Sequence, residues 1–114
     1  MRQAGDVVLT RFSLANLAEG KLRPALLLGR LSGDYDDWLI CMISSQARHY
    51  QPDFDELVSE SDSDFADCGL KTTNVIRVER LAVVETSILL GDVGHISAER
   101  LQRIKRHLAD WILE

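Results

Sequence analysis

The sequence predicts a mainly β fold, a small and strongly bent β-barrel followed by one C-terminal α-helix. Three observations carry this. Five to seven short β-rich stretches follow one another from residue 5 to about residue 92. Leu26-Leu27-Leu28 is an apolar run with no polar residue inside it, as a strand covered on both faces requires. Only the last stretch, from Ala98 to about Leu113, places apolar residues at helical spacing.

Taken in order, residues 5–12 alternate loosely, with Val7 and Leu9 set against Val8 and Phe12, and read as the first strand. Residues 13–22 form a loop that ends in Glu19-Gly20-Lys21. The second strand spans residues 23–31, and Pro24, which lacks an N–H, belongs at a strand start or a sheet edge. Ser32-Gly33-Asp34-Tyr35-Asp36-Asp37 is a turn-rich hairpin connection, from which residues 38–43 return as the third strand. Residues 54–58 read as a short edge strand. The stretch after it, Ser59-Glu60-Ser61-Asp62-Ser63-Asp64, reads as a solvated loop whose charges discourage edge pairing, with a phosphosite or an acidic binding stripe as the alternatives. In Asn74-Val75-Ile76-Arg77-Val78-Glu79 the alternation puts Asn74, Ile76 and Val78 on one face and Val75, Arg77 and Glu79 on the other. The strand resumes after a kink at Arg80-Leu81-Ala82-Val83-Val84, and Ile88-Leu89-Leu90-Gly91 runs to a turn. Ser97 is a good N-cap for the helix. Leu101, Ile104, Leu108, Trp111 and Ile112 make its apolar stripe, for the barrel or for a partner, while Arg100, Arg103, Lys105 and Arg106 read as a solvated basic face.

A chain of 114 residues is read as one domain, able to bury roughly 65% of its unfolded surface without metal or disulfide staples. No apolar run reaches the ~18 residues of a membrane span, and a strand follows the N-terminus too closely for a signal peptide. Both point to the cytosol, where Cys41, in a strand-like stretch, and Cys68, in a loop, are expected to be reduced. Neither cysteine stands in metal-ligand spacing with His49, His95 or His107, so no metal or cofactor is expected. The net charge of −5 is unevenly spread. Residues 49–70 hold seven carboxylates and no Lys or Arg; outside them 11 acidic residues face 13 basic ones. A local cationic surface is therefore compatible with the acidic total.

Chemistry-bearing residues converge at one rim. Arg23 opens the second strand and Ser44-Ser45-Gln46 closes the third, and antiparallel neighbours put one strand's start beside the other's end. Arg77 and Glu79 add a second guanidinium and a carboxylate. Each arginine has a simpler reading as a surface ion pair. As a site, arginines with hydroxyl donors suit an anion, and a guanidinium fork suits a phosphodiester. A nearby carboxylate can accept a proton from a hydroxyl. No Ser-His-Asp set, phosphate-cradling glycine loop, cysteine nucleophile or zinc motif is legible.

The order Gly5-Asp6-Val7-Val8-Leu9, then Arg23-Pro24-Ala25-Leu26-Leu27-Leu28, then Ile43-Ser44-Ser45-Gln46, then Gly69-Leu70-Lys71 with Asn74-Val75-Ile76-Arg77-Val78-Glu79-Arg80-Leu81, and finally Gly94-His95-Ile96-Ser97, resembles the MazF/PemK toxins. The resemblance covers nearly the whole chain. It implies an SH3-like barrel with a C-terminal helix, usually a homodimer. It also implies a toxin of a type II toxin–antitoxin system: a metal-independent endoribonuclease that cleaves single-stranded RNA at short sequences, leaves 2′,3′-cyclic phosphate and 5′-hydroxyl ends, halts translation, and is inhibited by a cognate antitoxin.

On the same resemblance, Arg23 is the arginine before proline that serves proton transfer and the pentavalent phosphate. Ser44 stands where the MazF branch has a phosphate-binding threonine. Arg77 and Glu79 match the arginine and aspartate that act as acid and base in the PemK/Kid branch. Glu19, Lys21, Ser45 and Gln46 are the implied substrate-binding positions. In the first loop this chain has Ser13-Leu14 and Leu17-Ala18-Glu19 where the family often shows Asp-Pro and a glycine, and it lacks the PemK branch's histidine. Two alternatives remain open: a gyrase poison resembling CcdB, for which Trp111 is a superficial echo, or an inactive barrel acting as a protein-binding module.

Overall fold

The computed structural model describes residues 1–11 and 21–114. Within them runs one antiparallel sheet of six strands: β1 (Asp6–Thr10), β2 (Arg23–Arg30), β3 (Asp37–Ser44), β4 (Glu56–Val58), β5 (Asn74–Glu85) and β6 (Gly91–His95). Their spatial order is β4-β5-β3-β2-β1-β6. A one-turn helix α1 (Phe65–Cys68) precedes β5, and the C-terminal helix α2 (Ala98–Leu113) ends the chain.

The sheet curls because it is interrupted. Leu28 is an extra residue between the pairs Leu27–Ile40 and Gly29–Leu39, and Val93 is extra between Val7–Gly94 and Val8–Asp92. Between Cys41–Leu81 and Met42–Arg77, three residues of β5 (Val78, Glu79 and Arg80) have no counterpart on β3. Such bulges bend the strand and sharpen its twist, which rolls the sheet into a half-barrel.

Both faces of this half-barrel are covered. Val7, Leu26, Leu28, Cys41, Ile43, Ile76 and Val78 pack with Ile96, Ile104 and Leu108 beneath α2. Val8, Ala25, Leu27, Trp38, Ile40, Val84 and Leu89 form the core on the other face. The leucine run therefore divides as a doubly covered strand should, Leu26 and Leu28 to one core and Leu27 to the other. Pro24 sits at the start of an interior strand, paired with Leu9. Ser97 caps α2 as expected, its side chain accepting the N–H of Arg100.

Four expectations need correction. The acidic stretch after β4 is solvated only in part, with Glu60, Ser61 and Ser63 exposed but Asp62 and Asp64 drawn inward, and Arg100 is not on a solvated face: Arg100 is only 5% exposed and is surrounded by Glu56, Asp62 and Asp64. Its Nε and Nη2 grip both oxygens of Asp64 at 2.9 Å, Nη2 also reaches Asp62 at 2.9 Å, and Nη1 reaches Glu56 at 3.1 Å. Arg103 shares Glu56. This clamp ties the loop to the first turns of α2. Second, of the two destinations left open for the apolar stripe, the barrel takes only Leu101, Ile104 and Leu108, and the last turn of α2 overshoots the core. Trp111 is 46% and Ile112 68% exposed, and the one ring partner of Trp111 among the described residues is Phe54, in a T-shaped contact. Third, β6 lies over Gly91-Asp92-Val93-Gly94-His95, which two glycines concealed, while Thr86–Ile88 form a 3₁₀ turn. Gly94 and Gly69 mark where β6 and α1 touch backbone to backbone: a Cβ on either would collide with the other segment. Fourth, Cys68 ends a short helix instead of lying in a loop.

Cys41 and Cys68 are buried and unpaired. Burial pushes the Cys41 thiol far up, with Asp55 adding to it, and raises Cys68 to about 11, so both are inert packing groups. No helix among the described residues is long and apolar enough to cross a membrane. They also hold no cluster of three or more His, Cys, Asp or Glu suited to a metal ion.

Candidate active site

The strand register assembles the site. In an antiparallel sheet, directly opposed residues project from the same face. Thr10 opposes Arg23, Met42 opposes Arg77, and Ser44 opposes Val75. The last β2–β3 pair is Ala25 with Met42, so two residues further along each strand Arg23 comes level with Ser44. Arg23, Ser44 and Arg77 therefore share one face at one end of the half-barrel, two of them at strand termini. Lys21, Ser45 and Gln46 are exposed just outside the same strand ends. Glu19, the remaining expected substrate contact, lies outside the described residues.

The bulge in β5 extends this rim into a cleft of about 370 Å³ lined by Gln51, Asp55, Arg77, Glu79 and Arg80. Asp55 explains why the bulge is stable. Its buried carboxylate accepts the N–H of Val78 at 3.0 Å and the N–H of Gln51 at 3.0 Å. Val78, freed from the ladder, turns into the core, and Glu79 and Arg80 emerge into the cleft beside Arg77. Neither Arg77 nor Glu79 forms an ion pair among the described residues, so the simple reading of two charges joined on a sheet is not the arrangement found. Arg23, Arg48 and Arg80 likewise form none among the described residues.

Sequence reading missed two members of this neighbourhood. Arg80 breaks the period-two alternation and reaches the cleft only because the bulge adds residues. His49 ends a 3₁₀ turn, Ala47–His49, that packs against β5, and its Nδ1 lies 2.7 Å from Ser44 Oγ. The Gln46 N–H donates to the same oxygen at 3.0 Å. Desolvation, and then the positive charges of Arg77, Arg48 and Arg80, lower the His49 pKa. The one available signal was a histidine five residues beyond Ser44, too common a spacing to weigh alone.

Arginines without carboxylate partners among the described residues, a hydroxyl held by two hydrogen bonds and an adjacent carboxylate give this end of a small curled sheet the groups that an anionic ligand would need. The chain belongs to the PemK-like, MazF-like toxins of type II toxin–antitoxin systems, whose family model matches residues 3–112. Among solved structures, an endoribonuclease in complex with its cognate antitoxin from Mycobacterial species shares the fold, with a TM-score of 0.68 at 14% identity over 98% of this chain and 95% of that chain. No curated protein matches the chain.

Proposed function

We propose that this chain, an endoribonuclease of a toxin family, cleaves single-stranded RNA at short sequences by attack of the substrate's own 2′-hydroxyl on the adjacent phosphate. The observation that carries the reading is the convergence of Arg23, Ser44 and Arg77 on one face of one rim, with Glu79 in the adjoining cleft. RNA brings its nucleophile with it, so the protein has to position the phosphate, neutralise charge in the pentavalent state and move two protons. Arg23 and the Ser44 hydroxyl hold the non-bridging oxygens. Glu79 takes the 2′-hydroxyl proton and Arg77 serves the departing 5′-oxygen, leaving a 2′,3′-cyclic phosphate and a 5′-hydroxyl. Lys21, Ser45 and Gln46, exposed at the strand ends, contact flanking nucleotides. No step calls on a metal.

The structural neighbour, solved in complex with its cognate antitoxin, supports an antitoxin as this chain's partner as well. We place the toxin in the cytoplasm, where its RNA substrate is, and read it as a homodimer. The exposed Trp111, Ile112 and Leu113 are compatible with such an interface.

The direct test is a gel assay of single-stranded RNA in EDTA, wild type beside Arg23→Ala. Discrete fragments with cyclic-phosphate ends from the wild type alone are expected, with the variant still folded, because Arg23 is exposed and makes no ion pair among the described residues. Unchanged cleavage by the variant removes Arg23 from the site. Silence of folded, antitoxin-free wild type on varied RNAs sinks the ribonuclease reading and turns attention to gyrase poisoning or a binding module.

A further inference from the structure

His49 stands against the proposed phosphate ligand yet has no part in the chemistry above. A serine hydroxyl has one hydrogen to donate and two lone pairs to accept with. One lone pair of Ser44 is taken by the Gln46 N–H at 3.0 Å. The contact with His49 Nδ1, at 2.7 Å, runs in one of two directions. If Ser44 donates to Nδ1, its only hydrogen is used up and its oxygen presents a lone pair to the rim, which repels a phosphate. If Nδ1–H donates to Ser44, both lone pairs are filled and the hydroxyl hydrogen has to point away from the turn, toward the face shared with Arg23 and Arg77.

We propose that His49 is a positioning residue for Ser44: its Nδ1–H fills the hydroxyl's second lone pair and so aims the Ser44 hydrogen at a non-bridging oxygen of the bound RNA phosphate. This rests on the ribonuclease reading above. The surroundings favour it. Desolvation, and then the positive charges of Arg77 and Arg80 from β5 and Arg48 from the same turn, lower the pKa of the ring and favour its neutral form near pH 7. A neutral imidazole carries one proton, and an anion at Ser44 selects the tautomer that leaves the serine hydrogen available. Protonating His49 leaves Nδ1–H in place, so acidification preserves the positioning.

The amide of an asparagine side chain can put an N–H where Nδ1–H stood, whereas that of glutamine reaches the Nε2 position. On an RNA that the wild type cleaves, His49→Asn is expected to keep kcat within about threefold. His49→Gln and His49→Ala should lower kcat about 10- to 100-fold with little change in KM. In the Ser44→Ala background, adding His49→Ala should cost nothing further. Equal losses in Asn and Gln, or losses at 44 and 49 that multiply, overturn the proposal. So does disappearance of the acidic limb of the pH profile in His49→Asn, which would make His49 the base. Circular dichroism checks that each variant is folded. Independently of activity, ¹⁵N NMR of the wild-type imidazole in inorganic phosphate should show Nδ1 protonated and Nε2 bare at neutral pH; the opposite tautomer overturns the proposal even if every variant fails to fold. RNA left intact by the wild type would instead fail the ribonuclease reading, with the NMR result still deciding the Ser44–His49 geometry.

Discussion

Glu79 is the residue whose chemistry and structural cost separate most cleanly. It is exposed at the mouth of the cleft and forms no ion pair among the described residues, so its removal disturbs little packing. Glu79→Gln keeps the shape and deletes the proposed proton acceptor. Cleavage should fall about 100-fold while stability stays within about 0.5 kcal/mol, read by single-turnover kinetics and urea denaturation. A parallel loss of stability would mean that Glu79 holds the bulge, a task the structure gives to Asp55. Asp55→Ala is the complement. It strips the acceptor from the Val78 N–H and the Gln51 N–H and should destabilise the fold by about 2 kcal/mol, with activity lost through the displaced Arg77, Glu79 and Arg80. The juxtaposition of Arg23 and Ser44 was legible in the sequence because antiparallel pairing alone brings a strand's start beside its neighbour's end. His49 and Arg80 were not, since one depends on a 3₁₀ turn packing against β5 and the other on extra residues in one strand. Local patterning records neither.

At the scale of elements, the acidic stretch after β4 and the basic face of α2 each read as solvated because each was judged alone. Their partnership spans 36 residues between Asp64 and Arg100, and nothing local in either segment announces it. The two runs neutralise each other in a buried cluster in which Arg100 and Asp64 are both less than a tenth exposed. Removing the shared cation leaves carboxylates without compensation, so Arg100→Met should cost about 3–5 kcal/mol in chemical denaturation. The Asp64 carboxyl is held well below its ordinary value of 3.8, first by the hydrogen bonds from Arg100 and then by the backbone N–H of Ser97, against the desolvation that opposes them. A carboxyl depressed in the folded state stabilises fully above its unfolded value, and that stabilisation is lost as pH falls toward the folded one. Wild type should therefore lose stability as pH drops below about 4, and Asp64→Asn, less stable at neutral pH, should show a shallower decline there. Identical slopes would remove Asp64 from the acid-sensitive set. The strands and α2 were read nearly to their ends, but β6 was not: Gly94 is there for its close approach to α1, a tertiary demand that masks the strand's own propensity.

Across the whole molecule, the clamp changes what the net charge of −5 means. Glu56, Asp62 and Asp64 are engaged by Arg100 and Arg103 against α2, and their charge is largely answered there. Around the candidate site Arg23, Arg48, Arg77 and Arg80 form no ion pairs among the described residues. An acidic protein thus presents a cationic rim, and the field that steers a polyanion is the local one. Each phosphate neutralised on a single strand contributes about −0.7 to the slope of log affinity against log salt. If the four arginines each engage one phosphate, a single-stranded oligonucleotide carrying 2′-deoxy sugars, and so resistant to cleavage, should bind with a slope of about −3. Arg80→Ala should reduce that slope by about 0.7, while Arg106→Ala on the exposed side of α2 should leave it unchanged. Fluorescence anisotropy over a range of salt concentrations reads all three values. A slope near zero, or an equal change from Arg106→Ala, would mean that the nucleic acid does not follow this rim.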